Sequence, residues 1–190
     1  MGGWDPVSYE PVGEVFVYDF TAQKWRQGKD MPSKRSFFGI GAIHGRVYIA
    51  GGHDENKCAL KSAWSYDVRE DEWTELTQMS QERDECEGLL IGDDFWIVSG
   101  YGNEKQGLFE ASAESYQMST VSELDPIGAS SWSRVFGVGF GGGRALVIGS
   151  AFPGTSQGFF MVEGQNGRVK MLDVPHEFSG FVQSGCCIEI

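Results

Sequence analysis

The chain has 190 residues and is short of several things, each of which removes a class of function. No run of eighteen apolar residues occurs, so no helical membrane span is expected. The N-terminal Gly2-Gly3-Trp4-Asp5-Pro6 carries neither a basic stretch nor an apolar core, so no secretory leader is expected. Histidine is scarce: His44, His53 and His176 fall in no ligand-like spacing. The four cysteines (Cys58, Cys86, Cys186 and Cys187) include no CxxC pair, which argues against a zinc or dithiol site. Reduced thiols in a cytoplasmic or nuclear protein are the expectation. Basic residues number 15 against 27 acidic ones, for a net charge of −12. That balance repels phosphate backbones and anionic lipid, so neither nucleic acid nor membrane is an expected partner. Basic protein surfaces are instead drawn toward it. Gly141-Gly142-Gly143 lacks the lysine of a phosphate loop, and no GxSxG or Ser-His-Asp arrangement is visible. No window sustains the 3.6-residue apolar period of a long helix.

What the chain does have is glycine and aromatic residues: 27 Gly, 13 Phe, 6 Trp and 6 Tyr, suiting an all-β chain with many tight turns. The stretch Phe37 to Gly52, FFGIGAIHGRVYIAGG, reads as two short strands joined at Gly45 and stopped by a glycine pair. The pattern recurs. Gly2-Gly3, Gly51-Gly52, Ser99-Gly100 and Gly149-Ser150 are spaced by 48 to 50 residues. Tyr18, Tyr66 and Tyr116 keep step at 48 and 50. Trp25 and Trp73 each follow their tyrosine by seven residues, whereas Trp132 follows Tyr116 by sixteen. An insertion of roughly nine residues is therefore expected between Tyr116 and Trp132. Met31 and Met79 are in phase as well. A single glycine pair means nothing, but a glycine pair, a tyrosine and a tryptophan at a period near 50 are specific.

The combination resembles the kelch repeat, in which each repeat is one four-stranded blade of a β-propeller. On that resemblance Gly51, Gly52 and Gly100 end the second strands, Tyr18 and Tyr66 lie in the third, and Trp25 and Trp73 open the fourth. The fold expected is an all-β, partial kelch propeller of about four blades, two of them incomplete. A partial blade is expected over 1–30, blades over 31–80, 81–135 and 136–175, and closing strands over 176–190. The expected strands are 14–20 and 24–27, then 37–43, 46–50, 61–67 and 72–76, then 86–91, 94–99, 112–117 and 132–135, then 136–140, 144–149, 158–163 and 168–172. Gln165-Asn166-Gly167 carries the clearest hairpin signal. The segments GGWDPVSYEPVGEVFVYDF, IAGGHDENKCALKSAWSYDV and MSQERDECEGLLIGDDFWIVSGYG are similar to those of plant F-box/kelch-repeat proteins, in particular the KISS ME DEADLY group. The resemblance implies a non-enzymatic role without a cofactor: a propeller that captures a target protein for ubiquitination. Family targets are phenylalanine ammonia-lyases and type-B cytokinin response regulators. Kelch signatures begin at residue 2, so the expectation is a chain without an F-box, read as an internal start or a fragment. Skp1 and a cullin would then be recruited only through an F-box upstream or in a partner chain.

Two loops carry the candidate contacts. His53-Asp54-Glu55 follows Gly51-Gly52 and is expected on a rim, as a solvated or partner-contacting loop rather than a metal site. Arg83, Asp84 and Glu85 enter the first strand of the third blade, and Arg35 holds the same position 48 residues earlier. These arginines form either a ring at a binding mouth or internal ion pairs between blades. Tyr101, with Trp4, Tyr9, Leu108 and Phe109, lies in a connection, where recognition residues concentrate. The competing readings are a kelch-fold enzyme or metal-dependent specifier, and a scaffold or cytoskeletal binder.

Overall fold

The computed structural model describes residues 1–110, 112–117, 120–124, 133–140, 144–150, 158–163 and 168–173. Fourteen strands occupy them. A two-stranded sheet pairs β1 (Val15–Asp19) with β2 (Lys24–Gly28). A four-stranded sheet follows: β3 (Gly39–Ile43), β4 (Arg46–Ala50), β5 (Ala63–Asp67) and β6 (Glu72–Glu75). The next contains β7 (Glu87–Ile91), β8 (Asp94–Val98), β9 (Ala113–Gln117) and β10 (Thr120–Leu124). The last contains β11 (Ser133–Phe140), β12 (Arg144–Ser150), β13 (Gly158–Glu163) and β14 (Arg168–Leu172). All pairs are antiparallel, and within each sheet neighbours in sequence are neighbours in space. This is the up-and-down blade of a propeller.

One expected strand is displaced. The third blade does not wait for Trp132 to close. Its fourth strand is β10, where Thr120 pairs directly with Gln117 across a two-residue connection. The segment expected to end that blade instead begins β11, the first strand of the next sheet, so the expected boundary at residue 135 falls inside a strand. The tyrosine-to-tryptophan spacing misled because the extra residues lie after the fourth strand, not before it. Trp132, the Asn166-Gly167 turn and the closing strands over 176–190 lie outside the described residues.

Alternation along each strand sends side chains toward the blades on both sides. Tyr48, Ala50, Ala63, Phe95, Ile97 and Tyr116 fill the space between the second and third sheets. Leu89, Ile91, Trp96, Val98, Ala145 and Val147 fill that between the third and fourth. Met31 and Met79, one repeat apart, are both buried, Met31 between the first and second sheets and Met79 between the second and third. First strands approach most closely: a Cβ on Gly88 would run into the Ile40 backbone, so glycine is required where β3 and β7 crowd together.

Candidate functional site

Register places the connections. Gly39 pairs with Ala50, and Ala50 with Ala63, so the segment entering the first strand and the loop between the second and third strands share one end of each blade. The tight hairpins lie at the other end. Every polar candidate from the two loops collects at the shared end.

The glycine pairs build it. Gly51 and Gly52 have φ of +70° and +79°, and a Cβ on Gly52 would strike the Ser36 carbonyl oxygen. A Cβ on Gly51 would come within 2.5 Å of the Arg83 carbonyl oxygen. The entering segments of two successive blades thus rest on one glycine pair, and Gly52 N–H donates to Arg83 O at 2.8 Å. In the third blade Ser99 takes the first glycine's place and holds the same left-handed conformation, with φ of +63°.

Arg35 and Arg83 lie beneath this end, both fully buried. Arg35 Nη1 donates to the carbonyls of Gly51 and Ser62, each at 3.1 Å, and Nη2 to the Ser33 and Ser62 hydroxyls. Arg83 repeats the scheme on Ser99 O, Ser112 O and Ser112 Oγ, and adds an ion pair from Nε to Glu114 at 3.0 Å. Burial pulls the Arg35 guanidinium down to about 10. The arginines are internal but are not ion pairs between blades: each clamps the glycine-pair carbonyl to the serine ahead of the third strand of its own blade, and of the two Arg83 alone pairs with a carboxylate.

His53 joins two blades. Its Nδ1 lies 2.9 Å from both carboxylate oxygens of Asp84, and its Nε2 lies 2.9 Å from Ser36 Oγ. With a neutral ring, Nδ1–H donates to Asp84 and the Ser36 hydroxyl donates to Nε2. The sequence showed no Ser-His-Asp arrangement, yet the fold assembles one from residues 17 and 31 positions away from the histidine. Connectivity alone does not make a nucleophile. Ser36 is 1 % exposed, and its backbone N–H and carbonyl are both bonded to His53. The array is an interblade lock, and both ring nitrogens are occupied within the protein.

Tyr101 and Asp84 exchange backbone hydrogen bonds, which buries Tyr101 beside Phe109. Its hydroxyl donates to Glu85 at 3.3 Å, and burial beside these carboxylates raises it. Asn103 clamps the neighbouring loop, accepting from Ala59 N–H at 2.6 Å and donating to Ala59 O at 3.2 Å. A shallow polar pocket between these loops is lined by Lys57, Asp84, Tyr101, Asn103 and Gln106.

Of the candidate contacts, Arg35, His53, Arg83, Asp84 and Tyr101 are therefore buried and bonded within the chain. Glu55 is exposed, while Asp54 and Glu85 are half-buried. Asp54 caps its own loop, accepting from the N–H groups of Asn56 and Cys58. Leu108 and Tyr9 are exposed. The residue the sequence reading passed over is Phe37, which stacks on His53 at 5.4 Å and stays 49 % exposed. It sat inside an expected strand and lost its identity as a loop residue.

The aromatic markers divide. Tyr66 is buried, and Trp73 packs on it and donates from Nε1 to Lys29 O at 2.9 Å. Tyr18 and Trp25 make the same pair at 5.1 Å, but Trp25 is 69 % exposed.

Blades of four antiparallel strands, laid side by side with glycine pairs at one end, define a kelch-type β-propeller arrangement. A kelch motif model matches residues 34–80. The solved structure of YjhT superposes with a TM-score of 0.63 over 83 % of this chain and 61 % of its own, at 13 % identity, which speaks for the fold. In sequence the chain is similar to Arabidopsis thaliana F-box/kelch-repeat proteins. It is 48 % identical to At1g80440 over 63 % of this chain and 34 % of that one. It is 44 % identical to At2g44130 over 71 % of this chain and 32 % of that one. A third, At1g15670, is 32 % identical over 99 % of this chain and 66 % of its own length. The chain thus spans about a third of the first two relatives.

Proposed function

We propose that this chain is the target-capturing part of an F-box/kelch-type adaptor of a cullin-based ubiquitin ligase. One observation supports this reading above the others: the loops of successive blades are locked into a single polar end by Arg35, His53, Asp84 and Arg83. That end holds its loops rigid without offering a reacting group, which suits recognition of a protein better than catalysis. The similarity to F-box/kelch-repeat proteins supplies the ligase context. Within that reading, the targets are phenylalanine ammonia-lyases or type-B response regulators, and the protein works in the cytoplasm or nucleus. Skp1 and the cullin join through an F-box supplied upstream or by a partner chain.

The test is co-precipitation from plant cells with the tagged chain as bait. Capture of a phenylalanine ammonia-lyase or a type-B regulator without Skp1 is the expected result. Expressed alone, the chain then slows turnover of that target by competing for it. Absence of both enzyme and regulator from the precipitate would remove the target assignment, and accelerated turnover by the chain alone would remove the competitor role.

A further inference from the structure

Phe16, Trp25 and Phe37 are exposed aromatic residues with two different explanations. Phe16 and Trp25 occupy the positions held one repeat later by Trp64 and Trp73. There the preceding sheet covers the face, with Tyr66 fully buried and Trp73 bonded to Lys29. Their exposure belongs to a blade face. Phe37 is different. Its equivalent one repeat later is Glu85, which is also partly exposed, so the position points away from the stack of blades. Both residues hold left-handed φ, +56° for Phe37 and +50° for Glu85. A bulky residue in that region is strained and persists only where its surroundings enforce it. The same repeat conformation that seals Ser36 and Asp84 inside thus aims the next side chain outward.

Phe37 does not stand alone. Its ring stacks on His53, and Trp4 closes the group edge-on to His53 at 5.9 Å and 6.4 Å from Phe37. Asp84 fixes the histidine from below, so the aromatic platform is rigid. Its surroundings are acidic. Asp54 and Glu55 follow His53 directly, and Glu82 and Glu85 flank Asp84. Two exposed lysines oppose these four carboxylates, Lys57 beside the His53 loop and Lys34 on the Phe37 segment, since Arg83 is fully buried and paired with Glu114.

We propose that the Trp4–Phe37–His53 platform docks an extended segment of the captured protein in which a lysine or arginine stands beside an apolar side chain. The inference rests on the target-capture reading above and names its recognition chemistry. The apolar side chain covers Phe37, and the cation lies over an aromatic face within reach of the Glu55 and Glu85 carboxylates. An acidic segment would meet repulsion from the same carboxylates and from the net charge of −12.

The experiment presents the 190-residue chain with a randomised library of twelve-residue peptides and measures the selected ones by fluorescence anisotropy. Selected peptides are expected to carry Lys or Arg within two positions of an apolar residue. Phe37→Ala is expected to weaken them about tenfold, as is the pair Glu55→Gln and Glu85→Gln. Thermal melts of each variant confirm that it is folded, and Phe37→Gly, which relieves the strained φ, gives a second folded probe of the missing ring. Selection of acidic peptides, selection of none, or binding indifferent to Phe37 overturns the proposal. If the folded Phe37→Ala chain still captures its protein target from plant cells, the docking surface is refuted while target capture stands. If neither variant nor wild type captures a target, it is the capture reading that fails.

Discussion

Glu114 accepts from Arg83 Nε at 3.0 Å with both side chains fully buried, and one repeat earlier the residue in its place is Trp64. The exchange is matched nearby. Ser80 N–H donates to the other Glu114 oxygen, and the residue equivalent to Ser80 is Pro32, which has no N–H to offer. In the second blade only one of the two donors is gone, and Arg35 Nε and Trp64 Nε1 are left without acceptors. Glu114→Ala should therefore cost about 3–5 kcal/mol in urea-unfolding free energy, because it strands a buried guanidinium. A cost near 1 kcal/mol would show that water reaches this pair.

The glycine pair is a second point of leverage. Gly52→Ala combines a positive φ with overlap against the Ser36 carbonyl. Gly45→Ala imposes a positive φ in open space, since nothing lies within 4 Å of its Cβ. Gly45→Ala should cost about 1–2 kcal/mol, and Gly52→Ala should cost clearly more. Equal midpoints for the two variants would contradict the packing role given to Gly52.

Among the described cysteines, burial pushes the Cys86 thiol up to about 11, whereas Cys58 is exposed. Only the thiolate is alkylated. At pH 8, native protein treated with iodoacetamide should label Cys58 promptly and Cys86 only after unfolding. Peptide mass mapping distinguishes them, and rapid labelling of Cys86 in native protein would show that the seam between the second and third blades opens.

Glu87 stands at the start of β7, and desolvation raises its carboxyl from 4.5 to about 7. The folded state thus holds this proton more tightly than the unfolded one. Its contribution is fully present below pH 4.5 and is lost as pH rises through 7. Glu87→Gln should accordingly match wild type at pH 4 and exceed it at pH 8, by up to about 3 kcal/mol from the shift itself. Denaturant midpoints at the two pH values check the sign. A variant less stable than wild type at pH 8 would mean that the charged carboxylate is a favourable partner in the fold.

Much of the fold was legible because a repeat advertises itself. Markers at a 48-residue spacing set the phase of the strands through β9, and the strand limits differ from expectation by at most two residues there. Legibility ended where one marker moved: Trp132 drew the eye past β10, a short strand of Thr, Val, Ser, Glu and Leu with no aromatic label. The site was less legible. Burial cannot be read from a loop's composition, so His53 looked like a rim residue, and Arg35, Arg83 and Asp84 stood open between a binding mouth and internal pairs, although the hydrogen bonds of all four turn them inward. The Ser36–His53–Asp84 array joins three segments that only tertiary structure brings together. Phe37 was hidden because φ is not written in sequence; its left-handed backbone takes it off the strand on which alternation had placed it.

The claim on which the account depends is that protein partners are held at the end carrying Phe37 and Glu55, not at the hairpin end. A photo-crosslinking residue placed at position 55, and separately at Arg69 in the exposed hairpin between β5 and β6, tests it directly. The account predicts crosslinks to co-purified target proteins from position 55 and none from position 69. Crosslinks from position 69 alone would place recognition at the opposite end and contradict it.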